Sequence, residues 1–326
     1  MKDLEDIKKE VEPGLTRLNE TILEHLNSPN ELLNTISSFF VEKRGKQIRA
    51  ILTLLIAKLS GTPNKKTIDG GASIEMLHNA SLIHDDVVDN SERRRNRESI
   101  NKIWGNQVAV LVGDFFITTG SNLAVSTGDL RIVESINKLG RQLTIGELDQ
   151  IYNAQHNLLD ENAYIRMVER KTASLFESCA EIACYSVNAD DKFRKDVTEF
   201  ARLMGICFQI KDDIFDYYSE LSNKLGKPVG NDLIEGKISL PLLHVLIKDK
   251  NEGRKDRIDI CFKEDKTVEE IDYLINAAID EGGIEYANKK MEELYLEAEK
   301  TISDFPSSDI KDSLLSLFRY VIERTH

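Results

Sequence analysis

Apolar residues recur at steps of three and four along much of the chain, the spacing that places side chains on one face of an α-helix. The clearest sets are Met76, Ala80, Ile83 and Val87, and then Phe200, Leu203, Cys207, Ile210 and Ile214. Repeated alternating β-branched segments separated by turn pairs are missing from the sequence, as is the strand–glycine–helix pattern of a nucleotide fold. The pattern predicts an all-α protein.

Proline and glycine positions support this prediction and divide the chain. From Asn64 to Lys227 there is no proline, a residue that is excluded chiefly from helix interiors. Breaks are predicted at residues 61–71, 126–129, 187–191 and 225–236, where turn-forming residues gather. We interpret the charged stretch 248–266 as a solvated excursion without a role. The intervals are predicted to be helices of one domain, residues 1–326.

Composition narrows the class of protein. Of the 326 residues, 41% are apolar and 30% are charged, as in soluble globular proteins with a sizeable core. The net charge of −13 argues against a nucleic-acid partner, because such proteins concentrate basic residues to neutralise phosphates. An anionic ligand would need a local cluster of cations, supplemented by bound metal.

The amino terminus and the cysteines bear on location. The first ten residues are charged and lack the apolar run of a signal peptide, and no segment offers ~18 uninterrupted apolar residues. We therefore expect a cytoplasmic protein. Cys179, Cys184, Cys207 and Cys261 lack metal-type pairing and are interpreted as reduced thiols of the core.

An acidic pattern, Asp-Asp-x-x-Asp, occurs twice within apolar sequence. The first copy is Asp85, Asp86 and Asp89, and the second is Asp212, Asp213 and Asp216. Helical positions four apart lie on one face, about 6 Å apart along the axis, so the outer aspartates of each copy can act together. Grouped carboxylates in apolar surroundings are costly unless a cation compensates them.

A hard divalent ion is the natural compensating cation. Oxygen ligands without a histidine or cysteine cluster suit Mg²⁺, which shares its shell with water and substrate phosphates. Zinc is poorly supported, because His78 and His84 lack partner ligands at zinc-site spacing. One acidic copy alone could be a solvent-exposed face. Two copies, each flanked by apolar residues, favour a magnesium site.

Basic residues lie close to the acidic copies in sequence. Lys46 and Arg49 precede the first copy, and Arg93, Arg94 and Arg95 follow it. Guanidinium groups match phosphate oxygens, whereas a lysine acts as a point charge. An arginine run alone is more often a solvated surface. Beside metal-ligand candidates and apolar sequence, it indicates a site for a lipid diphosphate.

From about Gly45 to Pro241 the sequence resembles the trans-type polyprenyl diphosphate synthases, with weaker likeness in the terminal VIER. In chain order the motifs are GKQIR, EMLHNASLIHDDVVD, RRRN, GDFF, GELDQ, ERKTASLF, FQIKDDIFD and LGKPVGNDLIEGKISLPL. The resemblance implies the all-α isoprenoid synthase fold, a single large helical bundle around a deep central cavity. It also implies a homodimeric, magnesium-dependent enzyme that joins isopentenyl diphosphate to an allylic diphosphate.

The resemblance carries roles to individual positions. It implies that Asp85, Asp89 and Asp212 bind magnesium directly, expected as three ions per site, and that Asp86, Asp213 and Asp216 help through water. Arg94, Lys171 and Lys227 would hold the allylic diphosphate, with Lys237 closing over it. Lys46, Arg49, His78 and Arg95 would bind isopentenyl diphosphate, and Thr172 and Gln209 would face the developing carbocation.

Three positions depart from the family pattern. Ala50 stands where proline is common, Asn96 where glycine usually follows the arginine pair, and Ser239 where threonine is frequent. None of the three removes a proposed ligand. Asn96 alters the turn that presents Arg94 and Arg95, so the division of roles between those two arginines stays open.

The resemblance implies the mechanism, and geometry suggests the product length. The allylic carbon–oxygen bond would ionise while Mg²⁺ and basic residues stabilise the departing diphosphate, to which the proton would finally be lost. The growing tail would run along the helix that carries Asp85, past Ser81, Ala80, Leu77 and Ser73. Because Ala80 and Ser81 are small, we expect a long product near octaprenyl, which would be delivered to a membrane.

Alternatives stay open at this point. The enzyme could make geranylgeranyl or farnesyl diphosphate instead. A terpene cyclase would share the fold but lacks an isopentenyl site, which Lys46, Arg49 and His78 argue against. A non-catalytic partner subunit is opposed by the intact acidic copies. A generic magnesium-dependent phosphohydrolase would not incorporate labelled isopentenyl diphosphate into longer chains.

Overall fold

Helices make up nearly all of the regular structure in a computed structural model that describes residues 2–41, 45–94, 97–218 and 230–325. In chain order they are α1 (Leu4–Leu26), α2 (Glu31–Val41), α3 (Ile48–Ser60), α4 (Lys65–Val88), α5 (Ile100–Trp104), α6 (Asn106–Ser126), α7 (Leu130–Gln155), α8 (Glu161–Val168), α9 (Ser174–Val187), α10 (Asp191–Phe215), α11 (Asn231–Ile234), α12 (Leu240–Asn251), α13 (Asp256–Cys261), α14 (Val268–Asp280), α15 (Gly283–Thr301) and α16 (Asp309–Glu323). A π-helical turn, Glu169–Ala173, joins α8 to α9, and strands β1 (Arg93–Arg94) and β2 (Arg97–Glu98) pair antiparallel. The all-α prediction is confirmed.

Helix α3 lies at the centre of the bundle. Its residues from Ile48 to Ala57 are buried almost without interruption, as expected of a helix that is apolar on all sides. It packs against α9, α16, α4 and α1, while α4 packs most extensively against α6 and α10 packs against α9 and α15. One hydrophobic cluster extends from Ile7 to Ile322, so the first and last helices share the same core.

Two of the predicted breaks fall where expected, and one is too long. α6 ends at Ser126 before α7 begins at Leu130, and α9 and α10 are separated at residues 188–190. The break predicted at 61–71 spans only 61–64, because Asn64 forms a capping box that starts α4 at Lys65. Much of the break predicted at 225–236 lies outside the described residues.

Glycines 70 and 71 belong to the interior of α4 for a packing reason. A Cβ atom at Gly70 would lie 2.5 Å from Ile182 Cγ2, and one at Gly71 would lie 2.8 Å from Leu18 Cδ1. These glycines therefore allow α9 and α1 to approach α4 closely, rather than turning the chain.

The charged stretch 248–266 is not simply a solvated excursion, and that interpretation was wrong in part. Asp249 on α12 is 1% exposed and forms an ion pair with Arg257 of α13, with 2.8 Å between Asp249 Oδ2 and Arg257 Nε. Arg257 also pairs with Glu281, at the end of α14. Breaking such a buried pair from one side leaves an uncompensated charge, so these residues tie the α12–α14 region together.

The four cysteines are buried and free, as predicted. Among the described helices, α6 alone has the length and apolar composition to cross a membrane, with a mean hydropathy of 1.6 over its most apolar window. This is weak evidence for a membrane span, because core helices of soluble proteins pass the same test.

The π-helical turn 169–173 is enclosed by two glycines on neighbouring helices. A Cβ atom at Gly146 of α7 would lie 2.6 Å from the backbone nitrogen of Lys171. A Cβ atom at Gly205 of α10 would lie 2.6 Å from the Cα atom of Ala173. The turn therefore fits only because both helices lack a side chain at the contact.

We expect Gly205→Ala to destabilise the protein by about 1–3 kcal/mol, because the new methyl group meets backbone that cannot move aside. The matched control is Gly140→Ala, where the added Cβ would lie an ordinary 3.9 Å from Leu77. That variant should be neutral or stabilising by roughly 0.5–1 kcal/mol, the helical preference for alanine over glycine. Urea unfolding followed by circular dichroism measures both; equal midpoints for the two variants would contradict the packing argument.

Candidate active site

A cavity of about 670 Å³ opens among α3, α4, α7, α10 and the segment that follows α11. Most of the residues selected from the sequence line it: Lys46, Arg49, His78, Asp85, Asp89, Arg94, Lys171, Gln209, Asp212, Asp213, Asp216 and Lys237. Arg95 and Lys227 lie outside the described residues. Both acidic copies therefore meet basic side chains in one enclosed space.

The side chains of the first acidic copy point in two directions. Asp85 and Asp89, four positions apart, both line the cavity, as the helical spacing predicts. Asp86 is 4% exposed, and its Oδ1 accepts a hydrogen bond from Nε of Arg94 at 2.7 Å. Asp86 thus holds Arg94, which itself lines the cavity.

The three aspartates of the second acidic copy each have different partners. Asp212 Oδ1 lies 2.8 Å from a terminal guanidinium nitrogen of Arg324. The carboxylate of Asp216 accepts hydrogen bonds from the backbone N–H groups of Asn231 and Asp232, both at 3.1 Å, and so fixes the start of α11. Asp213 is buried and bonded to other side chains.

Each acidic copy sits at the carboxyl end of its helix. Asp89 and Asp216 are the C-cap residues of α4 and α10. Helix C-termini carry partial negative charge, which disfavours further anions and favours cations. Burial raises the pKa of Asp85 to about 6 and that of Asp213 to about 7, and the nearby Asp232 adds to the shift of Asp213.

Side-chain cations partly compensate these carboxylates. Lys237 Nζ donates to Asp89 Oδ1 at 2.9 Å and to Glu235 Oε2 at 2.6 Å. Burial opposes the charge of Lys237, but these two carboxylates outweigh it and raise the pKa of the amine. The Lys237 ammonium thus stands where a bound cation would meet Asp89.

The donor set fits a hard metal ion. The acidic residues that line the cavity offer carboxylate oxygens, the ligands that Mg²⁺ and Ca²⁺ prefer. Among the residues that the structure describes, no three acidic, histidine or cysteine side chains converge closely enough to hold an ion unaided. Mg²⁺ commonly binds through one or two carboxylates together with waters and substrate phosphates.

The π-helical turn presents Lys171 and Thr172. Lys171 Nζ forms an ion pair with Glu147 and donates to Oε1 of Gln150 at 3.0 Å, both on α7. The buried Thr172 donates from Oγ1 to Oε1 of Gln209 at 2.6 Å. π-Turns inside helices frequently occur at functional sites, where they redirect side chains.

Besides Arg94, Lys171 and Lys237, a second group of basic residues, Lys46 and Arg49, lies at the start of α3. Gln47, with φ of +58°, occupies the left-handed region and caps α3, between Lys46 and Arg49. A non-glycine residue held there stores strain, which is common at binding sites. Its side chain exchanges hydrogen bonds with Asn19, the shorter 2.6 Å long. This pairing holds the strained turn in place.

Arg49 has the features of an anion-binding residue. Its guanidinium lies over the rings of Phe176 and Phe208, at 5.3 and 5.4 Å, and desolvation lowers its pKa. Its buried Nε finds no hydrogen-bond partner within the described parts of the chain. A buried donor without a partner is costly and suits a ligand oxygen.

The four residues predicted to lie along the growing tail do not line this cavity, although all are described: Ser73, Leu77, Ala80 and Ser81. Ala80 is fully buried, and Leu77 lies between α6 and α7. A Cβ atom at Gly120 or Gly140 would lie 3.6 or 3.9 Å from the Leu77 side chain. Ser81 donates from Oγ to its own helix, at the carbonyl of His78. The α4 residues that line the cavity are Glu75, His78, Asn79, Leu82, Asp85 and Asp89.

Sequence reasoning missed several residues of the site. Arg324, which pairs with Asp212 and stacks 4.0 Å from Phe208, lies in the terminal VIER, whose likeness to the family was weak. Glu147 and Gln150 lie in GELDQ, which was recognised as a motif but given no role. Tyr164 had no sequence signal, because its partner Asp213 is 49 positions away.

Comparisons with known proteins agree on the class of protein. The sequence profile of the polyprenyl synthetase family matches residues 30–278. An octaprenyl diphosphate synthase from Haemophilus influenzae is 32% identical over 323 residues, which cover 99% of this chain and 98% of that protein. The chain therefore belongs to the polyprenyl synthetase family and is a prenyltransferase.

Solved structures agree with the fold. A polyprenyl synthase from Caulobacter crescentus, crystallised with calcium and isoprenyl diphosphate, superposes with a TM-score of 0.92 at 26% identity and covers 99% of this chain and 98% of its own. A geranylgeranyl pyrophosphate synthase from Bacteroides thetaiotaomicron is 34% identical, with a TM-score of 0.84 and 98% of both chains covered. The isoprenoid synthase fold is thus confirmed.

Proposed function

We propose that this enzyme condenses isopentenyl diphosphate with an allylic diphosphate, in the presence of Mg²⁺, to make a long trans-polyprenyl diphosphate. The observation that carries the proposal is the meeting of two acidic helix ends with two basic groups around one cavity. This arrangement can bind two diphosphates and a divalent ion while keeping an isoprenoid tail out of water.

The carboxylates would hold the metal and the basic residues would hold the diphosphates. Asp85, Asp89 and Asp212 are the proposed Mg²⁺ ligands, in keeping with the calcium named for the Caulobacter protein. When bound, Mg²⁺ would neutralise the charge that develops on the leaving diphosphate. The number of ions, three by family resemblance, belongs to the proposal.

Two sets of cations would divide the substrates. Arg94 and Lys171, together with Lys227, would hold the allylic diphosphate, and Lys237 would close over it. Lys46, Arg49 and His78, together with Arg95, would bind isopentenyl diphosphate. To take up a diphosphate, Lys171 must exchange its contact with Glu147, and Lys237 its contact with Asp89. Thr172 and Gln209 would offer oxygen atoms to the allylic cation.

Substitution of Asp85 tests this assignment. Asp85→Asn keeps the shape of the side chain but removes its charge, so turnover should fall by roughly two orders of magnitude or more. The assay measures labelled isopentenyl diphosphate incorporated into longer chains, and calorimetry should show weaker Mg²⁺ binding.

Asp191→Asn is the matched control, since that side chain is 90% exposed at the start of α10. It should leave turnover and Mg²⁺ binding unchanged. Near-normal activity of Asp85→Asn would contradict the metal assignment, and no label in longer chains with the unaltered enzyme would contradict the proposed reaction.

A long product, near octaprenyl, is supported by the Haemophilus relative and by the small side chains of Ala80 and Ser81. The Bacteroides structure is named for a shorter product, so membership of the family does not by itself set the length. Leu77, enclosed by α6 and α7, is proposed to limit the tail further along α4.

Ala80→Phe should shorten the product, because the tail is proposed to extend beyond the cavity along α4, where a bulky ring at this fully buried position would block it. Chromatography of the dephosphorylated products measures the chain length. Leu59→Phe, on the half-buried end of α3, is a control for added aromatic volume and should leave the length unchanged. An unchanged product with Ala80→Phe would remove the basis for the proposed path.

A second copy of this chain is proposed to cover an exposed apolar face on α6 and α7. The exposed residues are Val110, Leu111, Ile117 and Val125 on α6 and Ile145, Leu148, Ile151 and Tyr152 on α7. Ile145, Leu148 and Tyr152 follow each other at steps of three and four, so they form one stripe. Large apolar side chains exposed together on two helices that pack against each other favour a protein interface, and a two-fold pairing would bury them on both copies.

Leu148→Asp should convert the dimer to a monomer, because it would bury an unpaired charge on each side of the pairing. Light scattering should give twice the 37.0 kDa of one chain for the unaltered enzyme and a single chain for the variant. Val268→Asp places the same charge on an exposed position of α14 and should stay dimeric. A monomeric unaltered enzyme would refute the pairing.

The remaining predictions concern the whole chain. We propose that it folds as one domain, supported by the single hydrophobic cluster from Ile7 to Ile322. Cytoplasmic location and delivery of the product to a membrane stay predictions.

A further inference from the structure

Four side chains form a hydrogen-bonded row, and three of them, Tyr164, Asp213 and Gln209, line the cavity. The hydroxyl of Tyr164 donates to Oδ2 of Asp213 at 2.5 Å. Nε2 of Gln209 donates to Oδ1 of the same carboxylate at 2.8 Å, and Thr172 donates to Oε1 of Gln209 at 2.6 Å. The row connects α8, the π-helical turn and α10.

Asp213 is engaged through both of its oxygens. One oxygen accepts from a phenol and the other from an amide, and both Asp213 and Tyr164 are only 4% exposed. The neighbouring Asp212 differs, because its side chain is 39% exposed and meets Arg324. The two adjacent aspartates therefore face different surroundings.

The hydrogen bond to Asp213 fixes which end of the Gln209 amide faces which partner. A primary amide has one accepting oxygen and one donating NH₂ group, and here it is Nε2 of Gln209 that donates to Oδ1 of Asp213. Asp213 therefore holds the NH₂ group of Gln209, and the carbonyl oxygen must point the other way, toward Thr172. Gln209 lines the cavity, where its carbonyl oxygen would stabilise a bound cation and its NH₂ group would disfavour one.

The hydroxyl of Tyr164 holds the Asp213 carboxylate in this position by donating a hydrogen bond to it. The second oxygen of a buried aspartate would otherwise lack a donor, which is costly, and the side chain would be free to turn toward the metal-binding residues. Tyr164 and Thr172 also lie on one continuous helical run, so the same segment holds both ends of the row.

We propose that Tyr164 is a positioning residue that acts through Asp213 to fix the amide of Gln209, so that its carbonyl oxygen faces the allylic cation. In this assignment Asp213 serves the row and is not a metal ligand, unlike Asp85. The inference rests on the proposed prenyl transfer, which supplies the cation.

Removal of the Tyr164 hydroxyl is the first test. Tyr164→Phe should lower kcat about tenfold, as expected for one hydrogen bond that acts in the transition state, with little change in KM for either substrate. With less stabilisation of the cation before condensation, a larger share of the allylic substrate should be captured by water and appear as free alcohol. Mg²⁺ binding, measured by calorimetry, should stay unchanged.

Tyr286→Phe is the matched control. Its hydroxyl donates to Oε2 of Glu161 at 2.7 Å, at the first residue of the helix that carries Tyr164. This variant loses an equivalent hydrogen bond from the same helix and should leave kcat and the share of alcohol unchanged. Changes as large as those of Tyr164→Phe would indicate a general effect on α8 and overturn the proposal.

Two further variants keep the test decisive if Tyr164→Phe is unstable. Asp213→Asn places an NH₂ donor against Gln209. The Gln209 amide should then turn its carbonyl oxygen toward position 213 and away from the allylic cation. The share of alcohol should rise while Mg²⁺ binding stays intact. In a Gln209→Ala background, Tyr164→Phe should add nothing, because Asp213 then has no amide to orient.

The outcomes separate this inference from the proposed function. Weaker Mg²⁺ binding by Asp213→Asn, to the extent expected for Asp85→Asn, would make Asp213 a metal ligand and overturn the inference. An equal effect of Tyr164→Phe with and without Gln209 would overturn it as well. Failure of the unaltered enzyme to lengthen any allylic diphosphate would instead refute the proposed function.

Discussion

Negative charge at the carboxyl ends of α4 and α10 is the constraint on which the site depends. Two acidic groups are brought together where helix ends already disfavour anions, so every carboxylate needs a positive or donating partner. In this structure the partners come from the chain: Arg94 for Asp86, Lys237 for Asp89 and Arg324 for Asp212. The proposed binding of metal and diphosphate would then proceed by exchange of ion-pair partners, so that neither a carboxylate nor a basic side chain is left buried without a partner.

The second acidic copy shows how one residue type takes three tasks within five positions. Asp212 forms an ion pair with Arg324. Asp213 orients the neighbouring amide of Gln209, and Asp216 anchors the start of α11 through two backbone N–H groups. The helix places Asp212 and Asp216 on one face and turns Asp213 inward. A repeated acidic pattern therefore indicates a site, but it does not show that its aspartates have the same role.

Local rules account for what could be predicted from the sequence. The helices, the breaks at 126–129 and 187–191 and the shared face of Asp85 and Asp89 follow from periodicity and turn chemistry alone. Gly70 and Gly71 were misplaced in a break because their purpose, close approach of α9 and α1, depends on helices distant in sequence. Tyr164 and Arg324 were missed for the same reason: each is defined by its partner across the fold, and no local spacing reports that partner.

The placement of Lys171 and Thr172 depends on the number of residues in the π-helical turn. A π-turn holds one residue more than the α-helix it interrupts. Deleting any residue of Glu169–Ala173 would let α8 and α9 fuse into a regular helix and rotate one against the other by about 100°. Deleting Glu169, for example, would swing Lys171 and Thr172 away from α7 and α10 although neither side chain is itself altered, so the positions of both depend on the number of residues in the turn.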